Sequence, residues 1–467
     1  MSAPRKHRYD LIVIGAGPAG ERAASLAASL DKNVALVEKS ELGGAAVNTG
    51  TLPSKTLRET ALYLSGLGQR GLYGVDYTFD REVHVGDLIH RQREVVRSHQ
   101  TLSGQNIARH SIELFHGTAT LEDSHNVRVS HAHGRTVTLD GDYVLIATGS
   151  RPFRPPGIIF DGVAVHDSDS ILRLKQIPTS IVIVGAGIIG CEYATLFSAL
   201  GISVALIDND DKFLPMLDEE IAALLMDRMR ALGISLVFER RADSVRRAGG
   251  GQQITVLFKE GDELLADVAL FCVGRNSNIE ALGLDEIGIL LGERGCIAIN
   301  EYYQTTVENI YAAGDVVGSP ALASTSMEQS QSAVQHMFGG QHKTTANPSI
   351  PTGLYTIPEV AMIGATEQAL RKKGQSYAVG RAPYKRNSRA QIVGDTSGML
   401  KLLFDPESRV LLGVHIIGEQ ASELIHMGQA CMYYQGTIDF FAENVFNFPT
   451  LSDLYKYAAY DGLSKLR

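Results

Sequence analysis

Cysteine is scarce in this chain and scattered. Cys191, Cys272, Cys296 and Cys431 form no CxxC or CxxxxC pair. Without paired spacing they make neither a dithiol motif nor a thiolate metal site, and they are expected as reduced, mostly buried thiols of a cytoplasmic protein. The other candidate ligands, His131-Ala132-His133, have no further ligand nearby in sequence, so no metal site is expected. Positive charge is also short. The 43 Lys and Arg against 52 Asp and Glu leave a formal net charge of −9, which argues against nucleic acid or an anionic membrane as the main partner. Long apolar runs are missing too. Ile181-Val182-Ile183-Val184 stops at a glycine, far short of the ~20 residues of a membrane span. The basic stretch Met1–Asp10 leads into no apolar h-region, so no secretory signal is expected.

Glycine is abundant, at 47 residues, and several of them sit at the ends of apolar runs. Tyr9-Asp10-Leu11-Ile12-Val13-Ile14 reads as a buried parallel strand. It ends in Gly15-Ala16-Gly17-Pro18-Ala19-Gly20, followed by a predicted helix over Glu21–Leu30 and a strand over Asn33–Val37. Glu38 comes about 20 residues past the first glycine. In such a unit Gly15 makes the tight turn, Gly17 lets backbone approach a pyrophosphate, Gly20 lets helix and strand pack closely, and the acid accepts from ribose. The unit recurs as strand Ser180–Val184, turn Gly185-Ala186-Gly187-Ile188-Ile189-Gly190, helix Cys191–Leu200, strand Ser203–Ile207 and acid Asp208. One chain thus carries two candidate dinucleotide sites. After Asp208 come Asn209, Asp210 and Asp211, with only Lys212 basic. Carboxylates there repel a 2′-phosphate, so the second site is expected to favour NAD(H).

Between the units, Val144–Pro152 reads as a strand entering a turn at Thr148-Gly149, and residues 85–110 read as a helical excursion. Leu270–Val273 and Gly274–Asn278 read as a strand and loop returning to the first domain. From about Pro351, predicted strands at Ala361–Gly364, Met399–Phe404 and Val410–Ile417 precede helices at Ala421–Tyr434 and Leu451–Leu463. Arg381, Lys385, Arg386 and Arg389 in this region are read as a solvated basic face. The expected fold class is α/β, with two Rossmann-like dinucleotide-binding domains plus a C-terminal α+β domain.

Leu42–Lys55 gives these parts a family likeness. In flavoprotein disulfide reductases this segment reads Gly-Gly-x-Cys-x-Asn-x-Gly-Cys-x-Pro-Ser-Lys. Gly43, Gly44, Asn48, Gly50, Pro53, Ser54 and Lys55 match it, and Ala46 and Thr51 stand at the two cysteine positions. Nearly the whole chain resembles the dihydrolipoamide dehydrogenase and glutathione reductase superfamily. Asp167–Leu172, Gly190–Ala194, Arg389–Gly394 and Phe446–Thr450 carry a closer likeness to its soluble pyridine nucleotide transhydrogenase branch.

The resemblance implies an FAD domain in two parts (1–152 and 276–348), an NAD(P) domain (153–275) and a dimerisation domain (349–467) that makes a homodimer. It implies that Asn309–Val316 is a second FAD fingerprint, with Asp315 on the ribityl chain and a helix beginning near Ala323 aimed at the flavin. Gly44, Thr148, Gly149 and Gly274 are expected against the cofactors. Lys55 is expected to approach the flavin and pair with Glu192. The histidine that serves the thiols in disulfide reductases falls at Phe448, and the acid that orients it at Asp453. Phenylalanine carries no proton, so both halves of the dithiol mechanism are absent and no lipoamide or glutathione-disulfide reduction is expected. The expected activity is FAD-dependent oxidation of NAD(P)H with delivery to a second nicotinamide nucleotide, using FAD, NAD(H) and NADP(H). A quinone or dye stacking over Ala45, Ala46 and Thr51 is the alternative acceptor. A redox-inert FAD-binding scaffold is the remaining reading.

Overall fold

The computed structural model describes residues 7–66, 72, 84–132, 134–248, 253–340 and 350–466. His133 and the proposed boundary at 348 and 349 lie outside them. The first sheet runs in the order Glu113–His116, Val34–Glu38, His7–Ile14, Thr136–Ile146, Asn126–Ser130, Thr118–Leu121, and Ile310–Ala312 also pairs in parallel with Thr136–Ile146. The run Leu11–Ile14 is apolar throughout because both of its faces are covered. Leu11 and Val13 meet helix α1 (Pro18–Ser29), while Ile12 and Ile14 meet Val127, Leu139 and Val316. Helix α2 (Gly44–Asn48) and helix α3 (Thr51–Ser65) follow, and then helix α4 (Val85–Arg109), which packs along α3.

The second sheet is entirely parallel, in the order Ser235–Val237, Ser203–Ile207, Ser180–Val184, Val268–Phe271, Val165–Asp167. It carries helix α5 (Ile188–Ala199) and helix α6 (Glu219–Ala231). Val268–Phe271 is an inner strand of this sheet. The crossing back to the first sheet is made by Ser150–Pro152 paired antiparallel with Arg275–Ser277. Helix α7 (Ala323–Met337) then returns to pack on α1. The third sheet is antiparallel, in the order Thr352–Leu354, Val360–Gly364, Leu411–Ile417, Met399–Phe404, Ala378–Pro383, under helices Ala421–Tyr433 and Asp453–Ser464.

Helices α1 and α5 begin three residues earlier than expected, at Pro18 and Ile188, with Gly17 and Gly187 as N-caps. Gly20 and Gly190 therefore sit inside the first turn. They act there as points of close approach, where a Cβ would lie 1.8 Å from the Gly15 carbonyl oxygen and 1.9 Å from that of Gly185. The basic face also resolves differently. Lys385, Arg386 and Arg389 are exposed, but Arg381 reaches across to Glu220 of α6 at 2.8 Å. That contact borders a buried network in which the Lys401 ammonium meets Asp218 at 2.7 Å, Glu220 at 2.9 Å and Glu367 at 2.5 Å. Among the described residues these three carboxylates form the one cluster that could hold a metal ion, and Lys401 fills it.

Candidate active site

The first glycine turn is built as a phosphate cradle. Gly15 takes φ +105°, and a Cβ on it would stand 2.4 Å from the Ala147 carbonyl oxygen, so only glycine fits. At Gly17 a Cβ would meet nothing nearer than the Gly44 Cα at 3.8 Å. Two bare backbones thus face each other at the N-terminus of α1, where free N–H groups and the helix dipole favour an anion. Glu38 is buried and accepts from the Ala16 amide at 2.8 Å and the Ser40 amide at 2.8 Å. It thereby ties the end of its strand to the glycine turn, and each oxygen keeps a lone pair for a ribose hydroxyl.

The second turn repeats the plan. Gly185 has φ +103°, and Gly187 has no atom within 4 Å of a would-be Cβ. Asp208 accepts from the Ala186 amide at 2.5 Å and the Asp210 amide at 3.0 Å. Asn209, Asp210, Asp211 and Lys212 are all exposed around it.

Asp315 lies just past Ile310–Ala312, between the two chain crossings. It accepts from Ser150 Oγ at 2.7 Å, and Ser150 Oγ accepts from Arg275 Nε at 2.8 Å. Thr148 and Asn278 hold each other by two hydrogen bonds, 2.7 Å and 2.9 Å. Gly149 and Gly274 have open space where a side chain would be, and Ala323 is the first residue of α7. The crossing strands thus bring Thr148, Gly149, Gly274 and Asp315 into one neighbourhood. Ser150 and Arg275 were not singled out from sequence. Arg275 directly follows Gly274 in a predicted loop, where an arginine carries no pattern.

The segment Leu42–Lys55 forms α2 and the start of α3. Asn48 Nδ2 donates to the carbonyls of Leu42 (2.9 Å) and Gly44 (2.8 Å), and its Oδ1 accepts from Gln100 of α4. Pro53 falls in the first turn of α3, where its missing N–H leaves no bond unmade. Lys55 is thereby delivered to α5, and its Nζ lies 2.6 Å from Glu192 Oε2. Glu192 is buried, so the pair is a charge-assisted contact largely out of water. Glu192 Oε1 accepts from the Tyr355 amide at 2.9 Å, and the Lys55 ammonium sits 5.0 Å over the Tyr355 ring. Tyr355, just past strand Thr352–Leu354, could not be found by motif because it lies some 300 residues from Lys55.

Phe448 is 70% exposed, and Asp453 is buried at the start of helix Asp453–Ser464, where burial raises its carboxyl above the ordinary range. The four cysteines are unpaired. Burial raises the thiols of Cys191, Cys272 and Cys431, the last to about 11, which keeps them as unreactive thiols at neutral pH.

Comparison with known proteins agrees with this construction. Residues 9–334 match the pyridine nucleotide-disulphide oxidoreductase family, and residues 350–459 match its dimerisation domain. The soluble pyridine nucleotide transhydrogenase of Mycobacterium tuberculosis is 42% identical over 461 residues, covering 98% of each chain. That of Marinomonas sp. is 39% identical, covering 98% of this chain and 99% of the other. The structure of LpdA from Mycobacterium tuberculosis superposes with TM-score 0.90 at 26% identity, covering 97% of this chain and 99% of that one. The flavoprotein disulfide reductase RclA from Escherichia coli, as a Cu(II) complex, gives 0.88 at 26% identity, covering 99% and 100%. With both of its matched regions accounted for, the chain belongs to the pyridine nucleotide-disulphide oxidoreductase family, using FAD and a nicotinamide nucleotide and assembling as a homodimer.

Proposed function

We propose that this protein is a transhydrogenase that moves reducing equivalents between two nicotinamide nucleotides at one face of its flavin, without sulfur chemistry. The observation that carries the reading is the Lys55–Glu192 pair, which joins the segment lacking both cysteines to the helix that opens the second dinucleotide site. Gly15, Gly17, Gly20, Glu38, Gly44, Thr148, Gly149, Asp315 and Ala323 would hold FAD. Gly185, Gly187, Gly190, Asp208 and Gly274 would hold the nicotinamide nucleotide. FAD when bound supplies the two-electron chemistry. The protein's part is to bind, to orient, and to keep a cation near the flavin so that its reduced, anionic form is favoured. On the same reading the domains divide at 152, 275 and 348, and a cytoplasmic setting suits four unpaired cysteines.

Successive nucleotides using one place give ping-pong kinetics. Initial rates with NADH and thio-NAD+ should give parallel double-reciprocal lines. Intersecting lines, or no thio-NAD+ reduction, would remove the assignment. A quinone is the second acceptor to test, because Ala45 and Ala46 are small and partly exposed. Ala46→Phe is expected to suppress quinone reduction and spare nucleotide exchange, and equal quinone rates in both forms would place that acceptor elsewhere.

A further inference from the structure

Two helices from different dinucleotide domains converge on one short segment of the third domain. Helix α3 presents Lys55 and Arg58, and helix α5 presents Glu192 and Thr195, each pair one turn apart. All four meet Tyr355-Thr356-Ile357. Glu192 Oε1 accepts from the Tyr355 amide at 2.9 Å, and Thr195 Oγ1 accepts from the Ile357 amide at 3.2 Å. Arg58 Nε donates to the Thr356 carbonyl at 3.1 Å, and the Lys55 ammonium lies over the Tyr355 ring at 5.0 Å. The segment is itself anchored from behind. Glu359 accepts from Ser422 Oγ at 2.6 Å and lies 3.5 Å from Arg58 Nη2.

We infer that Tyr355 is a positioning residue for the proposed reaction. Its amide fixes Glu192, and its ring face holds the Lys55 ammonium in one place against the flavin side of the site. The inference rests on the reading that Lys55 serves the flavin. The chemistry is specific. A ring quadrupole attracts a cation, most strongly where water is scarce, and an aliphatic side chain of similar size does not. The backbone bond to Glu192 is available to every residue but proline, so a side-chain change such as Tyr355→Leu isolates the ring. Without it, Lys55 keeps its anion partner on one side only, and its charge is less firmly held where reduced flavin needs it.

The test is the flavin midpoint potential of the holoenzyme, measured for wild type, Tyr355→Phe, Tyr355→Leu, Tyr355→Met, Lys55→Met and the double variant Lys55→Met/Tyr355→Leu. FAD content and the thermal unfolding midpoint are followed in each. Leu and Met are carried together so that poor folding in one leaves the comparison in the other. Tyr355→Phe keeps the ring and should hold the wild-type potential. The aliphatic variants should shift it to more negative values, in the direction of Lys55→Met, and the double variant should match Lys55→Met alone. Wild-type potential in the aliphatic variants overturns the inference, as does a shift that persists undiminished when Lys55 is already Met. If Lys55→Met itself leaves the potential unchanged, the reading of Lys55 falls and the inference falls with it. Nucleotide-exchange rates do not enter the comparison, so loss of the transhydrogenase assignment would be seen separately.

Discussion

Lys55 and Glu192 stand 2.6 Å apart with Glu192 buried, so each neutralises a charge that water no longer screens. A hydrogen bond to a charged partner is worth about 1.5–3 kcal/mol, which corresponds to roughly 10- to 100-fold in a rate where the pair is needed. Lys55→Met is therefore expected to slow NADH-dependent flavin bleaching by that factor in stopped flow, with FAD still bound. An unchanged bleaching rate would make the pair purely structural. Both residues were legible in the sequence because each sits in a motif, Lys55 after Pro53-Ser54 and Glu192 two residues past Gly190. Tyr355 and Arg58 were not legible, since their roles exist only through contacts between domains. Arg275 was hidden for the same reason.

At the level of the strand–turn–helix unit, the glycines divide into two kinds that sequence alone treats alike. Gly190 is held against the Gly185 carbonyl, whereas Gly187 faces open space. Gly190→Ala forces the backbone apart and is expected to cost about 1–3 kcal/mol of stability, seen as a lower thermal midpoint. Gly187→Val should fold with FAD bound yet lose NADH binding more than about tenfold, because the new side chain occupies the phosphate approach. Equal NADH affinity in that variant would put the nucleotide elsewhere. The two units themselves were read correctly from spacing, but their helix starts were not. A glycine inside the first turn looks like a break in sequence and is a packing contact in three dimensions.

The junction between α6 and the third sheet is the other element-level feature, and its pH behaviour can be worked out. Burial acts to raise the carboxyls of Asp218, Glu220 and Glu367, but hydrogen bonds from Lys401, joined by Arg381 at Glu220, hold all three below their ordinary values. Their share of stability is present above the unfolded values of 3.8 and 4.5 and is lost as pH falls through the lower folded values. Burial would lower Lys401, but its carboxylate partners raise it above 10.5, so its share is lost only at pH above that value. Buried His415 is pushed below 6.5 mainly by desolvation, and it adds a loss of stability as pH drops below 6.5. Lys401→Met leaves buried Asp218 without its cation, while Glu220 keeps Arg381, and is expected to cost about 3–5 kcal/mol at neutral pH. Urea unfolding at pH 7 measures this, and a change under about 1 kcal/mol would show that the network contributes little. From sequence, Lys401 is one lysine in an otherwise apolar strand, and of its acidic partners only Glu367 shares its domain, while Asp218 and Glu220 come from helix α6 and the residue before it.

Across the whole molecule, the fold of a dithiol enzyme is kept while its sulfur is gone. Ala46 and Thr51 occupy the thiol positions, Phe448 occupies that of the base, and the four remaining cysteines are unpaired. Asn48 still ties the segment together through the Leu42 and Gly44 carbonyls, a role that needs no sulfur. Electrons entering from NADH should then leave directly from the flavin. The most direct test is a sequential-mixing experiment on the anaerobic holoenzyme. The flavin is first bleached with one equivalent of NADH, and thio-NAD+ or lipoamide is then added while flavin absorbance and titratable thiols are followed together. The flavin should recover with stoichiometric thio-NADH formation, show no response to lipoamide, and reveal no new thiol at any stage. Reoxidation by lipoamide, or new thiols on reduction, would contradict electron transfer without sulfur.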